Sequence, residues 1–237
     1  MLRRLVHLSA LLLCLMGCTP NSSTLSNPKN QINGFTNIEL LDPFPEVGLL
    51  LEDSRPKCTV TLIEDDVVLT AAHCVQTEGV YKVKLKDKLY GCKKVVIHPK
   101  SHISMMFIAY DVALIFLDEK VKGIKPAKVN KCNIEGMTSL PLVTVGYSRG
   151  FKKRSDLGTI VYVEQIQNND HQLRMIPLTG TIFHGDSGGP VFSVVDGRLC
   201  VIGVISYYLK VGGVVYENVA MRTDSIANWI ASSINKV

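Results

Sequence analysis

The stretch 184–190, His-Gly-Asp-Ser-Gly-Gly-Pro, sets one serine among three glycines, an aspartate and a closing proline. From average Gly and Pro usage, such a run arises by chance in a chain of this length about once in 10⁵. The glycines free the backbone for turns closed to other residues, so the amides of Gly185 and Ser187 can converge on one point. That suits acyl transfer, in which an exposed hydroxyl attacks, a base takes its proton and donors await the developing oxyanion. The base is sought in Leu-Thr-Ala-Ala-His-Cys at 69–74, where four small or apolar residues precede His73 and suit an imidazole at the rim of a β-core. The other histidines, His7, His98, His102, His171 and His184, lack this setting. An orienter is offered by Asp111, which opens the apolar run of Tyr-Asp-Val-Ala-Leu-Ile-Phe-Leu at 110–117. A carboxylate there is partly buried and needs a partner, and an imidazole N–H supplies one.

Outward from these fragments, residues from about 47 onward alternate short Val-, Ile-, Tyr- and Thr-rich runs with Gly, Asp, Asn and Pro. About a dozen strands at this spacing predict an antiparallel sandwich or a pair of barrels. Only residues 223–237 read as helix, with Ile226, Trp229, Ile230 and Ile234 at helical spacing behind the cap-type residues Thr223 and Asp224. The basic stretch 148–156, Ser-Arg-Gly-Phe-Lys-Lys-Arg-Ser-Asp, reads as a solvated turn between strands.

In the order His, Asp, Ser, the three fragments resemble the trypsin/chymotrypsin family of serine endopeptidases. Lys-Val-Val-Ile-His-Pro at 94–99, Val-Gly-Tyr-Ser-Arg-Gly at 145–150 and the pair Trp229-Ile230 match further family stretches. The resemblance implies an all-β chain of two antiparallel six-stranded β-barrels with a C-terminal α-helix. It places a protease domain over 32–237, with barrel one about 32–130 and barrel two about 131–237. It implies Ser187 as nucleophile, His73 as general acid/base, Asp111 as its orienter, and the amides of Gly185 and Ser187 as oxyanion donors. It also implies a Cys58–Cys74 disulfide bracketing the histidine, and a substrate-binding strand at Ser206, Tyr207 and Tyr208.

Four positions depart from the family pattern. Thr181 stands six residues before the serine, where the family often places a charged or small selector. With Tyr208 and Val214 at the wall positions, a shallow pocket for small or medium uncharged side chains is expected. Phe183 replaces a cysteine that usually supports this pocket, so the rim is either looser or held by Phe183 packing. Ile32-Asn-Gly-Phe35 stands where the family's activated N-terminus begins, ready to pair with Asp186, yet Gln31 precedes it rather than Arg or Lys. Either another protease cuts there, or Asp186 has an internal partner and no zymogen exists. Finally, Cys92, Cys132 and Cys200 fall on no clear family pairing, so at most one more bridge joins two of them.

The chain's beginning carries its own signals. Residues 1–17 combine Arg3 and Arg4 with a short apolar run, the pattern of a secretory signal. The run ends in Leu15-Met-Gly-Cys18, which resembles the bacterial lipoprotein cleavage box. Cys18 is then either a lipidation site or incidental, and the expected location is an outer-membrane lipoprotein facing periplasm or cell surface, or a secreted protein. Residues 18–31 form a polar tether whose thirteen residues after the cysteine reach at most about 45 Å.

Net charge is +5. Without Arg3 and Arg4 the balance is 24 basic against 21 acidic residues, or +3, too dispersed for nucleic acid. No metal or organic cofactor is implied, and a monomer acting on protein or peptide substrates is expected. A protease-fold binding or regulatory protein is the competing function, although such proteins usually lose a triad residue. An α/β-hydrolase esterase fits the Gly-x-Ser-x-Gly spacing but not the residue order or the lack of alternating helices.

Overall fold

The computed structural model describes residues 44–104, 108–134, 141–148, 152–166, 170–177 and 181–236. The signal, the tether, Cys18 and Ile32 lie outside them. Among the described residues, fourteen strands build two closed barrels and a small two-stranded ribbon. Barrel one is formed by β1 (Val47–Glu52), β2 (Arg55–Glu64), β3 (Val67–Thr70), β4 (Tyr81–Leu85), β5 (Lys88–Ile97) and β8 (Ala113–Leu117), in the order β1-β2-β3-β8-β5-β4. The ribbon pairs β6 (His102–Ile103) with β7 (Ile108–Ala109). Barrel two is formed by β9 (Pro141–Ser148), β10 (Lys152–Ile166), β11 (Asp170–Pro177), β12 (Pro190–Val195), β13 (Arg198–Val211) and β14 (Val214–Arg222), in the order β10-β11-β14-β13-β12-β9. All pairings between these strands are antiparallel. The expected pair of six-stranded barrels with a C-terminal helix is therefore the observed fold.

Closure removes the sheet edges and gives each barrel an apolar interior. Leu50, Leu62, Val83, Leu114 and Ile115 fill the first, and Leu142, Leu173, Val191, Ile202 and Ile205 the second. The alternation in β4, with Tyr81, Val83 and Leu85 buried between exposed lysines, shows the period of two that aims one face inward. Asp196-Gly197 turns β12 into β13 with both residues at positive φ (50° and 72°), the geometry that two-residue hairpins favour.

Two local expectations change. In the basic stretch 148–156, Lys152 to Asp156 are strand, paired with Ser148 to Thr144, and 149–151 lie outside the described residues. The helix, α1, covers only Ala227–Ile234, preceded by a short 3₁₀ turn over Asp224–Ile226. Thr223 and Asp224 do not cap it. The Thr223 hydroxyl lies against the Val201 and Asn130 carbonyls at 2.8 and 3.2 Å, and Asp224 is claimed by the buried Arg222 guanidinium. Those polar groups are better satisfied by tying the inter-barrel segment to the helix base than by capping.

Barrel one and α1 meet around His98. Its ring stacks on Tyr110 at 4.5 Å and receives the edge of Trp229 at 4.8 Å. The Lys100 backbone N–H donates to Nδ1, which fixes the neutral tautomer. Burial, with the Lys100 charge as a lesser cause, pushes the imidazole down to about 4. The unfolded chain binds this proton near 6.5, so between those values the unfolded state holds more protons and stability rises with pH. The contribution is complete above about pH 6.5 and is lost as pH falls through about 4. Thermal melting should therefore show a lower Tm at pH 4.5 than at pH 7, and His98→Phe should flatten that dependence. An unchanged slope in the variant would assign the acid sensitivity to other groups.

Candidate active site

The three fragments named from the sequence meet at the junction of the barrels. His73 lies in a short 3₁₀ turn, Ala72–Cys74, directly after β3. The Cys58–Cys74 disulfide ties that turn to β2. This bridge also consumes both sulfurs near the His73 ring, so neither offers a thiolate to a metal there. Asp111 follows Tyr110, a residue held at a φ of 47°, and opens the path into β8.

Asp111 is fully buried and accepts three hydrogen bonds. The His73 backbone N–H donates to Oδ1 at 2.9 Å, and the His73 ring meets Oδ2 through Nδ1 at 2.7 Å. The Ser206 hydroxyl donates to Oδ2 at 2.5 Å. Burial alone would raise the acid's affinity for a proton, but the bonds from His73 and Ser206 outweigh it and hold the carboxyl below its usual value of 3.8. The Asp111 carboxylate thus stays charged and acts as an acceptor for the Nδ1 proton, leaving Nε2 free to accept another. The His73 side chain keeps 33 % of its surface open to solvent.

Ser206 reaches Asp111 through a defect in the sheet. In the β13–β14 ladder Ile205 pairs with Ala220 and Tyr207 with Val219, so Ser206 is the extra residue of a bulge. Bulges re-aim side chains. The Ser206 hydroxyl is buried and committed to the carboxylate, so only the backbone of this residue is left to border substrate on the expected strand.

Ser187 is placed by its neighbours. Its carbonyl accepts from Thr59 N–H at 2.8 Å, and Gly188 N–H donates to Ile205 O at 2.8 Å, next to Ser206. Gly188 has a φ of 81°, and a Cβ there would sit 2.1 Å from Thr70 Oγ1 and 2.4 Å from Thr59 O. Only glycine lets the serine loop approach β2 and β3 this closely, at Thr70, three residues before His73. Gly146 does the same for Asp186, whose Oδ1 would lie 2.5 Å from an added Cβ.

Within the loop, the N–H groups of Asp186, Gly188 and Gly189 donate to the carbonyls of Phe183, Ile205 and Asp186. Among the described residues the N–H groups of Gly185 and Ser187 donate to no backbone carbonyl. The Gly185 carbonyl is anchored by the Thr59 hydroxyl at 2.7 Å, which in turn accepts from Tyr147 N–H. Thr59 is fully buried and carries this loop without any signal in the sequence that sets it apart from its strand neighbours.

The pocket positions need one correction. Val214 stands at the tip of the β13–β14 hairpin, paired with Val211 and 69 % exposed, and does not face Thr181. The residue set against Thr181 is Asn218, whose Oδ1 accepts from the Thr181 hydroxyl at 3.0 Å. Tyr208 lies opposite Asn218 in the ladder, and the His184 ring approaches it edge-on at 6.2 Å. Tyr207 is turned to Gln172, which bridges its hydroxyl to the Ile108 carbonyl. Phe183 is 41 % exposed, so it does not support the rim by packing as a core residue would. Its N–H donates to Asp186 Oδ2.

The remaining cysteines stay within the expectation of at most one further bridge among them. Cys92 and Cys200 are free, and Cys132 is disulfide-bonded. No bridge joins any two of the three.

Comparison with known proteins agrees with this geometry. Residues 44–230 match the family described as Trypsin. The chain is 26% identical over 209 residues to chymotrypsin-like elastase family member 1 of Macaca fascicularis, covering 75% of this chain and 78% of that one. It is 26% identical over 261 residues to a trypsin of Phaedon cochleariae, covering 97% and 98%. The granzyme B of Rattus norvegicus is 24% identical over 209 residues, covering 76% and 80%. Among solved structures, neuropsin, a serine protease expressed in the limbic system of mouse brain, superposes with a TM-score of 0.65 at 20% identity, covering 81% of this chain and 95% of that one.

Proposed function

The chain belongs to the trypsin family and is a serine endopeptidase acting on protein or peptide substrates, and from that premise we propose how its residues divide the work. Ser187 attacks the scissile carbonyl while His73 Nε2 takes its proton. Asp111 holds the imidazole by its Nδ1–H and stabilises the imidazolium that forms. The amides of Gly185 and Ser187 receive the developing oxyanion, and the Thr59 hydroxyl keeps their loop in place. The imidazolium then protonates the leaving amine, and water repeats the cycle to release the acyl group. The observation that carries this reading is the fully buried Asp111 bonded to both the backbone and the ring of His73.

Specificity follows from what lines the pocket. Thr181 and Asn218 are neutral and satisfy each other, so nothing there compensates the charge of a buried Lys or Arg. Tyr208 adds bulk at the wall. The preferred residue before the cut is small or medium and uncharged. A panel of peptides varied at that position should be cleaved after Ala, Val, Ser or Leu at least about tenfold faster than after Arg or Lys. Strong preference for Arg would overturn the pocket assignment, and cleavage of no peptide at all would favour the binding-protein alternative. The panel is run before and after cleavage at Gln31-Ile32, which tests whether a new amino terminus is required.

Export rests on residues 1–17 alone. Lipidation of Cys18 rests on Leu15-Met-Gly-Cys18, and the animal relatives give it no support. The mass of the N-terminal peptide of the exported protein tests it: a lipidated cysteine adds the mass of its acyl chains, and an unmodified Cys18 would overturn it.

A further inference from the structure

A groove of about 610 Å³ lies between α1 and the segment joining the barrels, and it shares no residue with the site described above. Ile63, Ala227, Ile230, Ala231 and Ile234 give it apolar walls and floor. Its rim carries Lys125, Lys128 and Lys131, all exposed, against the single carboxylate of Glu64. The three lysines of Lys-Pro-Ala-Lys-Val-Asn-Lys all line the groove, along a stretch of chain that spans at most about 20 Å.

The segment is fixed in place. Ala127 N–H donates to Leu62 O, Val201 N–H to Lys128 O and Asn130 N–H to Val201 O. A parallel bridge joins Val129 to Val201. The lysine backbone is therefore preorganised, and little ordering is needed when a ligand binds. The nearby Asp65 is already engaged by Lys120 at 3.8 Å. None of the three rim lysines has an ion pair among the described residues.

We propose that this groove docks an acidic, amphipathic peptide segment of a protein partner, remote from the bond that is cut. Charge complementarity selects the partner: three unpaired ammonium groups attract carboxylates. The floor selects among anions. A polyanion without apolar groups would leave the half-buried Ala231 and Ile234 uncovered, whereas Leu or Phe side chains between carboxylates bury them. The volume falls within the range of sites that enclose ligands.

The test measures binding of a fluorescent peptide alternating Glu with Leu and Phe to the full chain carrying Ser187→Ala, which prevents cleavage and makes the result independent of the catalytic assignment. Lys125→Glu/Lys128→Glu/Lys131→Glu should weaken binding by at least about thirtyfold. Ala231→Arg adds positive charge but fills the groove, and it should weaken the peptide while leaving heparin binding unchanged or tighter. Thermal melting controls for folding. Wild-type affinity in the triple variant would overturn the proposal. So would heparin binding as tight as the peptide together with an inert Ala231→Arg, because the lysines would then act as a bare charged surface.

Discussion

Ser187→Ala should abolish turnover while leaving the fold intact. The serine carbonyl still accepts from Thr59 N–H, and the Gly188 contacts with β2 and β3 are untouched. Only the Oγ is lost, and with it the covalent route. Losing the nucleophile of such a triad costs about 10⁶ in kcat, with the residual rate coming from oxyanion donors and binding. A fluorophosphonate probe reads the same atom directly. The wild-type chain should take up one equivalent, and the variant none. An unlabelled wild-type protein, folded and cut at Ile32, would remove the triad from the account and leave a protease-shaped binding protein. Equal labelling of both proteins would move the nucleophile to another residue.

The sequence showed the chemistry of the site more plainly than its support. From Gly185 to Gly189 each residue has a role that local reading can name. His73 stands out by its apolar approach and Asp111 by opening a buried strand. Those signals are local, because a catalytic loop needs particular residues at neighbouring positions. Thr59, Ser206 and Asn218 are different. Thr59 is one threonine in a strand that contains two, and its value comes from facing a carbonyl 126 positions away. Ser206 acts through a bulge, and a bulge is a property of two paired strands rather than of one.

Asn218 shows the same limit from the other side. Counting from Val214 to a pocket wall fails because the β13–β14 hairpin extends to Val211 and Val214 before it turns. The length of a hairpin, and hence which residue reaches the pocket, depends on register. The cysteines are the opposite case. Three remain beyond the bracketing pair and cannot all pair with one another, and Cys92 and Cys200, on different barrels, are both free.

Asp111→Asn should be nearly as damaging as loss of the nucleophile, for a reason that hydrogen-bond bookkeeping makes explicit. All three groups facing the carboxylate are donors: the His73 N–H, the His73 Nδ1–H and the Ser206 hydroxyl. An asparagine has one acceptor oxygen and one donor amide. The His73 backbone N–H cannot turn around, so it holds the amide oxygen at the Oδ1 position. The NH₂ group then takes the Oδ2 position, facing the imidazole and Ser206. The hydroxyl adapts by rotating to accept. The imidazole adapts only by moving its proton to Nε2, which leaves no lone pair for the Ser187 proton. The expected loss is about 10⁴ in kcat, the general magnitude for this change in a serine-protease triad. KM should change little, because no substrate contact is touched. The acid limb of the activity profile adds a check. The wild-type carboxyl is held below its usual value, so it remains charged above about pH 4, and any loss of activity between pH 8 and 5 arises elsewhere. Asparagine kinetics equal to those of the wild type would show that tautomer control at His73 does not depend on Asp111, whatever their distance.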